Sequence, residues 1–217
     1  MYACYLQDRT LDGLAEAERL TTALYQAHVA GKPRLDGARS ALEALGVKNA
    51  GREAIVYAER KQARLEDLIR VGTVTAFPDA LRFVEAVGAL GWPMAVASSS
   101  KNANAMMRPI ILSTGQSLLD VFPVNVCGRD LRRGKPDPDI FLIAASELGV
   151  SPAQCVVAED ATAGIAAARS GGMTALGVAR LGDAKQLREA GADLVVASLD
   201  DIKLVDLALG RLRGQKT

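Results

Sequence analysis

Between residues 14 and 70 the apolar positions keep to helical spacing alone. Leu14, Ala17, Leu20, Leu24 and Ala27 recur every three or four residues. So do Ala41, Leu42 and Leu45, and then Ile55, Ala58, Leu65, Leu68 and Ile69. Gly31-Lys32-Pro33 and Gly46-Val47-Lys48-Asn49 are turn signals between these runs. This half predicts a small helical bundle. From Phe77 the texture changes to short apolar runs alternating with amphipathic stretches. Strands are expected at 94–97, 124–127, 155–158, 175–178 and 193–197. Helices are expected at 80–90, 101–112, 139–148 and 162–170, with a last one near 204–212. Asp137 is placed as an N-cap with Pro138 in the first turn of its helix. Such alternation predicts an α/β fold, a parallel sheet with helices on both faces. Thr73-Val74-Thr75, just before Pro78, is the expected hinge between the halves.

In an open parallel sheet, ligands bind outside the carboxyl ends of the strands. Three of those ends carry chemistry. The first is Ser98-Ser99-Ser100-Lys101-Asn102, hydroxyls at a strand end that opens a helix. Such a run suits an oxyanion, because donors and the positive helix end point the same way. A plain helix cap by Ser99 or Ser100 is the alternative. The second is Gly134-Lys135-Pro136-Asp137-Pro138-Asp139. Lys135 precedes a proline, so its backbone is extended and its ammonium can lie across the sheet end. A solvated loop lysine is the alternative. The third is Glu159-Asp160-Ala161-Thr162-Ala163-Gly164. Adjacent carboxylates at a strand tip repel unless a cation or a lysine sits between them, and oxygen ligands alone suggest Mg²⁺. Asp160 as a helix cap beside a solvated Glu159 is the alternative.

Composition removes several competing classes. Lys plus Arg total 26 against 25 Asp plus Glu, a formal charge of +1, which is not the basic excess of a nucleic-acid binder. No apolar run is long enough to span a bilayer, and the start lacks the basic and apolar stretches of a signal peptide. Cys4, Cys127 and Cys155 are too few and too scattered for a disulfide framework. They are expected reduced and buried, in a cytoplasmic protein. His28 is the one histidine, which argues against a His-rich zinc site and a Ser-His-Asp triad. His28 and Trp92 are read as surface and packing residues.

Hydroxyl, lysine and paired acids at successive strand ends describe a phosphate-and-Mg²⁺ site. Three segments, Val-Ala-Ser-Ser-Ser-Lys-Asn at 96–102, Gly-Lys-Pro-Asp-Pro-Asp-Ile-Phe at 134–141 and Glu-Asp-Ala-Thr-Ala-Gly-Ile at 159–165, together resemble the haloacid dehalogenase superfamily, in its β-phosphoglucomutase-like subgroup. The turn Gly171-Gly172-Met173 also fits. The resemblance implies a Rossmann-like core over 1–12 and 76–217 and an inserted helical cap over 13–75. It implies that Ser98 binds the transferring phosphoryl group and Lys135 clamps it, with Ser99, Lys101 and Asn102 beside them. Glu159 and Asp160 would hold Mg²⁺. In the helical half, Gly31-Lys32-Pro33-Arg34-Leu35-Asp36-Gly37 resembles a segment whose arginine grips a distal phosphate. Glu59-Arg60-Lys61 resembles a cap helix whose lysine faces the site.

The superfamily's chemistry depends on a first strand ending in Asp-x-Asp-Gly-Thr or Asp-x-Asp-Gly-Val, which supplies nucleophile and general acid/base. The sequence has no such motif. The nearest stretch is Tyr2-Ala3-Cys4-Tyr5-Leu6-Gln7-Asp8-Arg9-Thr10-Leu11, and two registers are open. Asp8 takes either the acid/base place, with Leu6 in the nucleophile's, or the nucleophile's place, with Thr10 in the other. In the second register Asp8 is also a candidate metal ligand. Two functions follow. One is Mg²⁺-dependent phosphoryl transfer on a small sugar phosphate by a hydrolase, as phosphatase or mutase; Arg34 and Lys61 favour a mutase, which must hold a second phosphate. The other is a non-catalytic or truncated protein that still binds phosphate. A receiver-like signalling domain is a remote third. The expected partner is a small phosphorylated metabolite, with neither nucleic acid nor membrane, and the chain is read as a monomer or weak homo-oligomer.

Overall fold

The structure, a computed structural model, describes residues 21–212 and Gly214. Three helices come first. α1 (Thr22–His28) starts behind Thr21, whose hydroxyl accepts from the Leu24 N–H at 3.2 Å. α2 (Arg34–Ala44) buries Gly37, Ala38, Ala41 and Leu42. α3 (Ala50–Val71) buries Ala50, Ala54, Tyr57 and Ala58, a stripe at helical spacing. Ala38 and Leu42 meet Ala50, Ala54, Tyr57 and Ala58 in one cluster, so small side chains hold α2 and α3 together. α3 ends at Gly72, whose φ of 75° lets the chain turn left-handed and leave the helix. The expected hinge at Thr73–Thr75 lies in the irregular stretch 73–77 that follows.

The remaining elements alternate as expected: α4 (Pro78–Ala89), β1 (Ala95–Val96), α5 (Ala103–Met107), β2 (Val124–Asn125), α6 (Asp139–Leu148), β3 (Val156–Glu159), α7 (Thr162–Ser170), β4 (Thr174–Val178), α8 (Ala184–Glu189), β5 (Leu194–Val196) and α9 (Leu204–Ala208). All pairings between strands are parallel. β1 pairs with β2, Ala95 opposite Val124, and β4 lies between β3 and β5, with Ala158 opposite Leu176 and Leu176 opposite Leu194. Among the described residues the expected single sheet is therefore two pieces, of two strands and three.

One core nevertheless serves both pieces. Val126 of the first and Ala175 of the second pack on Ile140 and Phe141 of α6 and Ile165 of α7. α6 touches β1 and β2, α7 touches β3 and β4, and the two helices touch each other. On the opposite face Val87 of α4 joins Met94, Leu176, Val178 and Val196, with Leu207 of α9. β4 is buried along nearly its whole length, as a strand flanked on both sides should be. β3 is not: Val156 is 41% exposed, because among the described residues nothing pairs with its edge toward β1.

Several boundaries differ from the expectations. The helix expected over 101–112 stops at Met107, since the Pro109 ring, with no N–H to donate, cannot sit in a helix interior. The strands at 94–97 and 124–127 shrink to two residues each. Asp137 does not lie directly before its helix, where Pro138 stands, yet its carboxylate still accepts from the Asp139 N–H at 3.1 Å. Cys127 and Cys155 are free but half-buried rather than buried, because each sits at a strand end and not in a strand interior. Cys4, the candidate strand 2–6 and Asp8 lie outside the described residues.

Candidate functional site

A cavity of about 750 Å³ opens at the carboxyl ends of β1 and β3. Its wall includes Ser98, Ser99, Ser100, Lys101 and Asn102 after β1, Lys135 from the loop before α6, and Glu159 and Asp160 after β3. Arg34 of α2 and Lys61 of α3 line the facing side. All ten residues singled out from the sequence, Asp8 apart, thus border one space. Lys32, Arg34, Lys61, Lys101, Arg129, Lys135 and Arg180 line it against Asp130, Glu159 and Asp160, so cationic side chains outnumber acidic ones along its wall.

Each group arrives there for a local reason. The Ser98 hydroxyl accepts from the Ser100 N–H at 3.1 Å, and the Ser100 hydroxyl accepts from the Asn102 N–H at 3.2 Å. The hydroxyls thus fold the turn that leads into α5, but neither Ser99 nor Ser100 caps the helix, whose N-cap is Asn102. Ser99 turns the other way and donates to the Gly31 carbonyl at 3.4 Å. Gly128, at φ 66°, lets the chain after β2 pass close to this turn, since a Cβ there would fall 2.8 Å from the Lys101 Cα. Lys101, also on the wall, is exposed and ion-paired with Asp130 at 2.7 Å. Arg34 is exposed at the rim.

Lys135 is the deepest cation, 7% exposed, and its ammonium pairs with Glu159 and lies 4.6 Å from the centre of the Phe141 ring. It is therefore no solvated loop lysine. Gly164 makes room for its partner: a Cβ there would stand 2.2 Å from the Glu159 Cδ. Asp160 does not cap α7, whose preceding residue is Ala161. Its carboxylate is open to water in the cavity yet enclosed by the walls. That enclosure, and then the charge of Glu159, push its pKa up to about 6. Enclosure also lowers the Lys61 ammonium to about 8.

Two features were not visible in the sequence. Gln26 of α1 is 2% exposed and reaches the end of β3. Its amide donates to the Asp160 carbonyl at 2.9 Å and to the Asp183 carboxylate at 2.5 Å. Its carbonyl oxygen accepts the Thr162 N–H at 3.2 Å and so caps α7 from another helix. Gln62 of α3 forms a reciprocal amide pair with Asn102: Gln62 Nε2 donates to Asn102 Oδ1 at 3.1 Å, and Asn102 Nδ2 donates to Gln62 Oε1 at 2.9 Å. No local signal in the sequence marks their partners, 134 to 157 and 40 residues away.

A profile of the haloacid dehalogenase-like hydrolases matches residues 7–172. The chain belongs to that family. The β-phosphoglucomutase of Mycobacterium bovis is 39% identical over 196 residues, covering 82% of this chain and 72% of that protein. Hexitol phosphatase A of Escherichia coli is 33% identical over 150 residues, covering 69% and 66%. Among solved structures, the β-phosphoglucomutase of Clostridium difficile aligns with a TM-score of 0.72 at 26% identity, over 95% of this chain and 90% of that one. Within the family the chain falls in the β-phosphoglucomutase-like subgroup, as the motif segments imply. Its fold is the α/β fold of these hydrolases. Among the described residues no helix is long and apolar enough to cross a membrane.

Proposed function

We propose that the cavity takes the phosphate ester of a small sugar and supports Mg²⁺-dependent phosphoryl transfer on it. The observation that carries this reading is the meeting of Lys135, Glu159, Asp160 and the 98–102 turn on one cationic cavity. The names of the relatives, a phosphoglucomutase and a hexitol phosphatase, favour the same substrate class. Ser98, Ser99 and Lys135 bind the transferring phosphoryl group. Arg34, Lys61, Lys101 and Asn102 serve the far end of the substrate. In this reading α2 and α3 act as the cap over a core formed from α4 onward, in a cytoplasmic protein.

Among the described residues no group of three His, Cys, Asp or Glu side chains converges as a metal site. The donor chemistry still suits Mg²⁺, which binds through one or two carboxylates and completes its shell with water and substrate phosphate. Asp160 is one candidate ligand, because its carboxylate borders the cavity beside Glu159 and, among the described residues, no side chain forms a salt bridge with it. Glu159 is already held by Lys135 and would join through its second oxygen. When bound, the ion would offset charge on the phosphate oxygens. Lys135 neutralises the same charge from the other side, and the 98–102 turn orients the ester. Transfer also needs a nucleophile opposite Ser98 and Lys135. Asp8 is the residue we place there, outside the described residues.

A second reading, binding without turnover, is favoured by one observation: neither register of residues 2–11 supplies two carboxylates. Purified protein with Mg²⁺ and beryllium fluoride separates the two. Phosphoryl transfer predicts an adduct on Asp8 and hydrolysis of p-nitrophenyl phosphate above a Lys135→Ala control. No adduct and no hydrolysis, with inorganic phosphate still bound, leaves the binding reading. Loss of phosphate binding as well removes both.

A further inference from the structure

The turn that leads from Asp160 into α7 is held from another helix. The Gln26 side chain of α1 spans it: its amide nitrogen donates to the Asp160 carbonyl at 2.9 Å, and its oxygen accepts the Thr162 N–H at 3.2 Å. The Thr162 hydroxyl returns the contact, donating to the Gln26 carbonyl at 3.0 Å. α7 begins at Thr162 behind Ala161, which has no side-chain oxygen to cap it. Gln26 is 2% exposed, and its amide nitrogen also donates to the Asp183 carboxylate at 2.5 Å. We propose that Gln26 is a positioning residue for the cation: by occupying the Thr162 N–H it keeps the Asp160 carboxylate turned to the cavity. The inference rests on the reading of Asp160 as a Mg²⁺ ligand.

An aspartate just before a helix has a strong local alternative. Its carboxylate accepts the backbone N–H two residues on, closing an Asx turn, and such bonds are favoured where a helix begins. For Asp160 that N–H belongs to Thr162, the group Gln26 holds. A carboxylate acceptor makes the stronger, charge-assisted bond, so without a competitor the N–H would draw the carboxylate back against its own chain. A carboxylate engaged there offers fewer lone pairs to a cation, and the turn rather than the cavity sets its direction. Gln26 closes off that alternative with a neutral oxygen and adds no charge beside the site. Its own orientation is fixed as well. The amide nitrogen faces two oxygens, of Asp160 and Asp183, while the amide oxygen faces an N–H. A flipped amide would set oxygen against oxygen twice. Asp183 therefore acts through Gln26, and Gln26 through Thr162, on where Asp160 points.

The contested N–H can be deleted, which gives the test. Thr162 is the first residue of α7, where proline is tolerated. Ala161 before it is extended, at φ −120° and ψ 135°, as the residue before a proline must be. Titration calorimetry with Mg²⁺ would compare the wild type, Gln26→Met, Thr162→Pro and the double variant. Gln26→Met should bind Mg²⁺ about fivefold more weakly, since only a fraction of the chains then present the carboxylate. Thr162→Pro should bind like the wild type, and Gln26→Met in that background should change nothing, because no N–H remains to capture Asp160. Affinity for inorganic phosphate, measured without Mg²⁺, should be unchanged in all four. If Gln26→Met is too unstable to titrate, the comparison is made with Asp183→Asn in every chain, which removes the buried charge left unpaired. Unchanged Mg²⁺ binding by Gln26→Met overturns the inference and leaves the metal reading standing. A loss that persists beside Thr162→Pro, or an equal loss of phosphate binding, overturns it too, because Gln26 would then only support the fold. Weakening by Thr162→Pro alone also overturns it, since the N–H would then serve the site directly. No Mg²⁺ binding by the wild type overturns inference and metal reading together.

Discussion

α1 and α3 both reach across to the sheet ends, and they are attached by different means. α1 enters through Gln26, buried to 2% exposure, whose side chain makes three hydrogen bonds, to Asp160, Thr162 and the 1% exposed Asp183. Thr162 adds a fourth, its hydroxyl donating to the Gln26 carbonyl at 3.0 Å. α3 is held by a part-buried exchange between two neutral amides. Water can replace the second attachment, whereas the Gln26–Asp183 bond at the heart of the first is buried. A buried polar group stripped of its partner bears its full desolvation cost, whereas a solvated one does not. The comparison therefore separates a helix that belongs to the rigid floor of the cavity from one that can lift away.

The strongest way to break that comparison is Gln26→Ala. It strips the Asp183 carboxylate of its amide donor and the Thr162 N–H of its acceptor in one step. Stability should fall by about 3 kcal/mol, read from urea unfolding. A loss under about 1 kcal/mol would mean water enters the site and α1 is no firmer than α3. Gly164→Ala comes next, because its new Cβ would stand 2.2 Å from the Glu159 Cδ. Glu159 must move, and its pairing with Lys135 goes with it. We expect about 2 kcal/mol of destabilisation and weakened phosphate binding by calorimetry. Phosphate binding that stays intact would show that the Lys135–Glu159 pair does not shape the cavity.

A smaller effect comes from pH. In the fold Asp160 is raised to about 6 by enclosure and by the charge of Glu159, from an ordinary 3.8. The folded chain therefore holds that proton more tightly than the unfolded chain. The stability it contributes is full below pH 3.8 and is lost as pH rises through 6. Asp79 works in the opposite sense. Burial would raise it, but the Arg180 hydrogen bond at 2.7 Å, the Leu199 N–H and the Ser198 hydroxyl bring it down to about 2. Its contribution is present above 3.8 and lost as pH falls through 2, so the two windows do not overlap. Urea midpoints from pH 4 to 6.5 should decline less steeply in Asp160→Asn than in the wild type. Mg²⁺ should raise the wild-type midpoint at pH 7 and not at pH 4, where Asp160 is protonated. An equal Mg²⁺ effect at both pH values would place the ion elsewhere.

Periodicity was enough to recover the helices between Thr22 and Val71, the α/β alternation after Phe77 and the strand ends that carry Ser98, Lys135 and Glu159, while Leu14, Ala17 and Leu20 lie outside the described residues. These features are local: spacing, turn residues and the rule that strand ends face the ligand. What it could not give is pairing at a distance. Nothing near Gln26 marks Asp183, and nothing near Gln62 marks Asn102, since each contact exists only once the helices are stacked. Among the described residues the sheet falls into two pieces, and the 41% exposure of Val156 marks an edge of the second. Lys101 shows the limit in a third way. It borders the cavity, but its ammonium is ion-paired with Asp130 at 2.7 Å, and that neighbour lies on another loop.

The smallest expected effect carries the contrast furthest. Gln62→Ala removes three hydrogen bonds, two with Asn102 and one with Glu66, as many as Gln26→Ala takes from Asp160, Asp183 and Thr162. If hydrogen-bond number set the strength of each attachment, the two variants would be destabilised alike. Burial sets it instead, because Asn102 can turn its freed amide to water in the cavity. Gln62→Ala should therefore cost no more than about 1 kcal/mol by urea unfolding. Its far-ultraviolet circular dichroism should match the wild type, since α3 keeps Ala50, Ala54, Tyr57 and Ala58 packed against α2. A loss approaching that of Gln26→Ala would mean that the amide pair helps hold the fold together. α3 would then be as fixed as α1, and ligand would have to enter the cavity past a lid that does not open.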